Sequence, residues 1–171
     1  DVFTLTSTTY AIADDCAALG GFLVGSECQI SSPQLKSNTV CSGGTTCSID
    51  GTLHILATGS LIVSPVLAGL SLRILGDLII DAPNGSSESG NFGDTAVTNG
   101  KGAEISILAE QIVLHGDGGR GARISANQVA GSCTGGKGGK ISLTARSTIL
   151  TEPGSIISVN ASCEAGEINL Q

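Results

Sequence analysis

Ile105-Ser106-Ile107-Leu108-Ala109 and Ile141-Ser142-Leu143-Thr144-Ala145 are two copies of one pattern. Leu53-His54-Ile55-Leu56-Ala57 and Leu72-Arg73-Ile74-Leu75-Gly76 stack beside them as two more, and Ile168-Asn169-Leu170 opens a fifth. Each full copy alternates apolar and polar residues over three positions and reaches a small residue at the fifth. The last three then resume with an apolar pair, Ile79-Ile80, Ile112-Val113 or Ile149-Leu150. Alternation of this kind belongs to a strand buried on one face, and the small residue to a tight bend. Successive starts are 19, 33, 36 and 27 residues apart, with the excess in Gly/Ser/Asn-rich stretches such as 83–102 and 128–139. Loops vary while strands recur.

A second strand repeats as well: Arg123-Ile124-Ser125-Ala126-Asn127 matches Ile156-Ile157-Ser158-Val159-Asn160 at an offset of 33. Units this short cannot bury their inward Ile and Leu alone. Winding the chain so that equivalent strands lie about 4.8 Å apart closes a narrow aliphatic core. The predicted fold is all-β, a parallel β-solenoid. Residues 1–50 form an N-terminal strand and disulfide-rich cap, and 51–171 form coils with Gly-rich loops.

Composition agrees with a thin core. The 171 residues include only four aromatics, Phe3, Tyr10, Phe22 and Phe92, with neither Trp nor Met. Leu, Ile, Val and Ala supply nearly all the apolar residues, and rings fit poorly in thin coils. A net charge of −7 and a pI of about 4.6 remove the basic surface that nucleic acid or an anionic membrane requires. Mean hydropathy is positive, which argues against disorder. Gly59, Ser60, Ser64, Pro65, Gly69 and Ser71 interrupt the most apolar region, so no run of about 18 apolar residues predicts a membrane span.

Six cysteines in so short a chain indicate an oxidising compartment, and the start at Asp1 reads as a mature chain after signal-peptide removal or a recombinant fragment. A secreted or cell-surface location is expected. There is no Cys-x-x-Cys, and His54 and His115 have no neighbouring Cys, so disulfides are favoured over metal ligation. Cys133 and Cys163 lie in the loops after the Ile124 and Ile157 strands, and equivalent loops on adjacent coils would bring them together. That leaves Cys16, Cys28, Cys41 and Cys47 with three connectivities, of which Cys16–Cys28 with Cys41–Cys47 is preferred. Asn84-Gly85-Ser86 and Asn160-Ala161-Ser162 satisfy the N-glycosylation sequon. The stretch from Asp14 to Gly21 suits a short helix or turn shielding the first coil.

Outward positions test the coil register. Glu104, Lys140 and Glu167 form a column of alternating sign, and Asp77, Glu110 and Arg146 form another whose last two members are placed to pair.

Strands of the type Ile-Ser-Ile-Leu-Ala-x-x-Ile-Val-Leu, Gly-rich turns and Ile-Ser-Ala-Asn together resemble the right-handed parallel β-helix of pectin-lyase-like and filamentous-haemagglutinin-like proteins. The resemblance spans about 51–171 and is one of repeat style. It implies an extracellular or surface-exposed protein of one of several kinds: adhesins, polysaccharide-processing enzymes or structural stalks. Enzymes of that kind place carboxylates and basic residues on one wall, sometimes around calcium, which makes Asp77, Glu110, Arg73 and Arg146 the corresponding wall. The same residues are equally explained as a solvated charge ladder.

Other motifs carry less. Gly131-Ser132-Cys133-Thr134-Gly135-Gly136-Lys137-Gly138 approaches a phosphate-binding loop but has Gly where the Mg-binding hydroxyl belongs. His115-Gly116-Asp117-Gly118-Gly119-Arg120-Gly121 offers an acid, a base and a cation on one turn, and reads first as a Gly-rich corner. Asp94 and Asp117 do not recur in register, as calcium repeats would require. Thr ranks for ice binding are confined to Thr4, Thr6, Thr8 and Thr9, and exposed rings for sugar stacking to Tyr10 and Phe92. No cofactor, metal or catalysis is expected.

Ile168-Asn169-Leu170-Gln171 begins a coil and leaves a parallel edge, with Ile168 and Leu170 as its apolar residues. Val2 to Ile12 alternates like a strand and, through Phe3, Leu5 and Tyr10, suits addition to a neighbour's sheet. Repeated head to tail, that contact gives an open filament. The expected function is that of an extracellular structural subunit whose partners are copies of itself, with surface glycans or other extracellular proteins as further partners. A non-catalytic adhesin or stalk segment of a larger surface protein is the alternative, and a polysaccharide-active enzyme ranks below both.

Overall fold

The computed structural model describes residues 14–36, 41–63, 69–82, 91–94, 104–119, 121–126, 139–159, 164 and 166–171. In chain order these form α1 (Cys16–Leu19), β1 (Phe22–Val24), β2 (Glu27–Ile30), β3 (Pro33–Lys36), β4 (Thr46–Ile49), β5 (Thr52–Ile55), β6 (Ser60–Val63) and β7 (Gly69–Ile74). There follow β8 (Leu78–Ile80), β9 (Asn91–Asp94), β10 (Glu104–Leu114), β11 (Arg123–Ser125), β12 (Lys140–Thr151), β13 (Ile156–Ser158) and β14 (Glu167–Leu170). The protein is mostly β. No helix among the described residues is long and apolar enough to cross a membrane.

Among the described residues every strand pairing is parallel except that of β1 with β2. The pairings form three ladders. One runs β4, β7, the first half of β10, the first half of β12, then β14. A second runs β2, β5, β8, the second half of β10, the second half of β12. Because β10 and β12 belong to both, these merge into a nine-stranded sheet, while β3, β6, β9, β11 and β13 form a separate five-stranded one. The chain visits the ladders in the same order on each pass, so partners are always one pass apart.

Burial follows the alternation. In the second ladder Cys28, Leu53, Leu78 and Ile112 stack in one buried row, and Ile30, Ile55, Ile80 and Leu114 in the next. In the first, Leu70, Ile105 and Ile141 form one row and Leu72, Ile107 and Leu143 another. Each side chain so buried contributes about 1.5–3 kcal/mol. Close approaches of backbone forbid a side chain at several bends, Gly51 and Gly116 among them. A Cβ on Gly51 would run into the Ser26 carbonyl oxygen, and one on Gly116 into that of Pro153.

The stacking expected for Leu53-His54-Ile55 is corrected. Leu53 lies beside Leu78, whereas Leu72 lies beside Cys47 and Ile107, two residues along from its expected partner Ile105. Each pass holds two consecutive strands with the same inward parity, and a pattern of period two does not tell them apart. The offset joining Arg123–Ser125 to Ile156–Ser158 matches the observed register. The parallel ladders begin at Glu27, within the segment expected to form the cap.

The same segment holds the helix and both disulfides. In α1, Cys16 and Leu19 are buried, and a disulfide joins Cys16 to Cys28 on β2, with another between Cys41 and Cys47 at the start of β4. Asp14 Oδ1 accepts from the Cys16 N–H at 3.0 Å, and Gly20, at φ 83°, ends the helix. The buried Asp15 carboxylate accepts from the Ser42 N–H, the Ser42 hydroxyl and the Ser48 N–H at 3.2, 3.1 and 2.9 Å.

Candidate functional site

The inward rows change character at the final strand. Ile141 and Leu143 are fully buried on β12, yet their β14 neighbours Ile168 and Leu170 are 40% and 54% exposed. Ile156 on β13 and Leu150 on β12 are exposed on the same end. Among the described residues β14 and β13 each have a partner on one side only. At the opposite end Phe22, Leu23 and Val24 of β1 are exposed, as is Leu35 of β3, at 62%. Leu35, Ile156 and Leu150 stand at outward positions, in register with Ile62, Arg123 and Val113, so the uncovered inward row is that of Ile168 and Leu170 on β14.

The charge columns lie on the outer wall. Glu104, Lys140 and Glu167 are in register, with Lys140 Nζ 3.3 Å from Glu167 Oε2. A hydrogen bond from Asn169, together with that from Lys140, holds the Glu167 carboxyl below its ordinary value. Continuing the register of Ala109 with Ala145 puts Arg146 beside Glu110, at 3.8 Å, and a bulge then shifts the pairing by one residue before Gln111 meets Thr148. Arg73 and Arg146 line a common cleft on this wall, and neither Asp77 nor Glu110 lines it.

His115 lies at the Gly-rich corner read from the sequence, where its Nδ1 is 3.2 Å from Glu152 Oε2. The same oxygen accepts from the Gly116 N–H at 3.0 Å. That backbone bond, with the His115 contact, lowers the Glu152 carboxyl. Asp117 Oδ1 accepts from the Gly119 N–H at 2.9 Å, a local turn bond. Arg120 is outside the described residues. Ser155 donates to the Leu114 and His115 carbonyls, so its hydroxyl is occupied in holding the corner.

A cluster not anticipated from the sequence surrounds His54. Its Nδ1 lies 2.9 Å from Glu27 Oε1, which also accepts from Gln29 Nε2 at 2.6 Å. Its Nε2 lies 3.1 Å from Asp81 Oδ2, an ion-pair contact on the other side of the ring. Burial disfavours the imidazolium, but the contacts with Asp81 and Glu27 and their negative charge outweigh it and raise His54 above its ordinary value. Glu27 is lowered, by the Gln29 hydrogen bond and then by His54. Three successive passes contribute these residues, and they meet only once β2, β5 and β8 are aligned. Among the described residues no group of three His, Cys, Asp or Glu side chains is arranged to hold a metal.

Phe3, Leu5, Tyr10, Asn84, Asn160, Cys133 and Cys163 lie outside the described residues. Comparison with protein-family models, curated proteins and solved structures finds no match to this chain.

Proposed function

We propose that the chain is an extracellular structural protein, a β-solenoid subunit that stacks head to tail into a surface or secreted filament. The three ladders, visited in constant order, are then the faces of one coil. The carrying observation is the row Leu70, Ile105, Ile141, Ile168, buried through three strands and exposed in the fourth, with Leu72, Ile107, Leu143 and Leu170 beside it. Covering such a row recovers about 1.5–3 kcal/mol per side chain. The five-stranded sheet ends in β3 on one side and β13 on the other, both parallel to their neighbours, so a copy translated along the stack continues it. The sequence from Val2 to Ile12, rich in Thr, Val, Phe and Tyr, has the composition of a strand added to such an edge. The contact is heterologous, and its repetition yields an open fibre.

A non-catalytic adhesin or stalk segment of a larger surface protein is the second reading. It is favoured by the unlike ends: α1 plugs one, and exposed Ile168 and Leu170 mark the other. The two disulfides are compatible with an extracellular setting for either. Negative-stain microscopy with light scattering, across concentration and without reductant, separates them. Filaments that vanish in Ile168→Asp/Leu170→Asp, with the monomer still folded, are expected for self-assembly. A monomer at every concentration overturns it.

A further inference from the structure

We infer that the outer wall of the nine-stranded sheet carries a binding cleft for a small organic acid, an anion with a flat apolar body of one or two rings. The cleft has a volume of about 270 Å³ and is lined by Ser48, Arg73, Ile74, Leu75, Leu108 and Arg146. Ladder pairing builds it: Ser48 lies beside Arg73, Arg73 beside Leu108, and Leu108 beside Thr144, two residues before Arg146. At the bend after β7, Leu75 leaves 45% of its surface exposed, supplying an apolar wall.

Both cations are available. No carboxylate among the described residues pairs with Arg73, and Arg146 has only Glu110, at 3.8 Å. That separation is longer than a hydrogen bond of about 2.7–3.2 Å. In a chain of net charge −7 with eight Lys and Arg in all, two guanidinium groups bordering one apolar trough form a local positive site. Guanidinium binds carboxylate in a two-pronged geometry and stacks on aromatic faces, so an aromatic acid uses both properties. The volume falls just under the range of about 300–1,000 Å³ usual for small-molecule sites, which limits the ligand to a ring or two. An inorganic anion would leave Leu75 and Leu108 uncovered, and a neutral aromatic would leave the charge unmatched.

The cleft is on the side wall, so the inference is independent of end-to-end stacking. Equilibrium dialysis of 2-naphthoate against the full chain reads binding whether or not the chain assembles. Saturable binding is expected, at least about tenfold tighter than that of 2-naphthylmethanol or acetate. Arg73→Gln should weaken it at least about tenfold, the loss of one charge-assisted contact. Glu110→Gln should tighten it severalfold, because the carboxylate competing for Arg146 is gone. Non-saturable uptake, equal affinity for the alcohol, or an affinity unchanged in Arg73→Gln with the fold retained by circular dichroism would each overturn the proposal.

Discussion

Asp15 and Ser48, 33 residues apart, hold each other twice: the Asp15 N–H donates to the Ser48 carbonyl at 2.9 Å, and the Ser48 N–H donates to Asp15 Oδ2 at 2.9 Å. The same carboxylate holds Ser42, so one side chain ties α1 to β4 and to the small disulfide loop. Removing it strands donors that face a buried site. Asp15→Ala is expected to cost about 2–4 kcal/mol, and Asp15→Asn, which keeps an acceptor, about half of that. Urea unfolding midpoints at constant slope measure both, and a loss in Asp15→Ala below about 0.5 kcal/mol would remove Asp15 from this role.

Leu143 and Leu170 are neighbours in one ladder row but differ in surroundings. Leu143→Ala should destabilise the isolated chain by about 2–5 kcal/mol through lost burial and the cavity left behind. Leu170→Ala, starting from a half-exposed side chain, should cost under about 1 kcal/mol in the same monomer. Equal losses by thermal or chemical denaturation would show that the last strand is as deeply packed as the one before it.

The Glu27–His54–Asp81 cluster makes stability depend on pH. His54 stands above its ordinary 6.5 in the folded chain, so its contribution is complete below pH 6.5 and is lost as pH rises through the folded value. Glu27 stands below its ordinary 4.5, so its contribution is complete above pH 4.5 and is lost as pH falls through its folded value. The advantage of wild type over His54→Gln should therefore be greatest between these limits and shrink on the alkaline side. Urea titrations from about pH 5 to pH 9 test this, and a difference independent of pH would contradict it.

Gly51 sits where the Ser26 carbonyl oxygen, already accepting from the Thr52 N–H at 3.2 Å, occupies the space of a side chain. Gly51→Ala should cost about 1–3 kcal/mol, since backbone must yield. Gly25→Ala on the preceding turn is a different case, with open space but a φ of 64°, and its cost is conformational. Thermal midpoints of the two variants separate crowding from strain: adding Ser26→Gly should recover neither if the obstruction is the carbonyl.

Much of the fold was legible because inward positions repeat with a period of two and the outward charges alternate. Glu104, Lys140 and Glu167 met as their column predicted. Assigning Leu53 and Leu72 to their ladders was beyond the pattern, since both stand at the inward position of an apolar-polar-apolar triplet. Without that assignment the cluster around His54 had no signal, because Glu27 and Asp81 approach it only through two correct registers. Asp15 was hidden for a different reason. One of two adjacent acids, Asp14 and Asp15, carries no periodic mark of burial, and only the backbone donors of Ser42 and Ser48 show why Asp15 is inside.

The cross-links around α1 also give the molecule a direction of unravelling. Cys16–Cys28, Cys41–Cys47 and the Asp15 bonds cross-link the first pass, whereas β14 holds on through four residues and one neighbouring strand. Amide exchange should start at Glu167–Leu170 and advance strand by strand along the parallel ladders toward β2, where the cross-links lie.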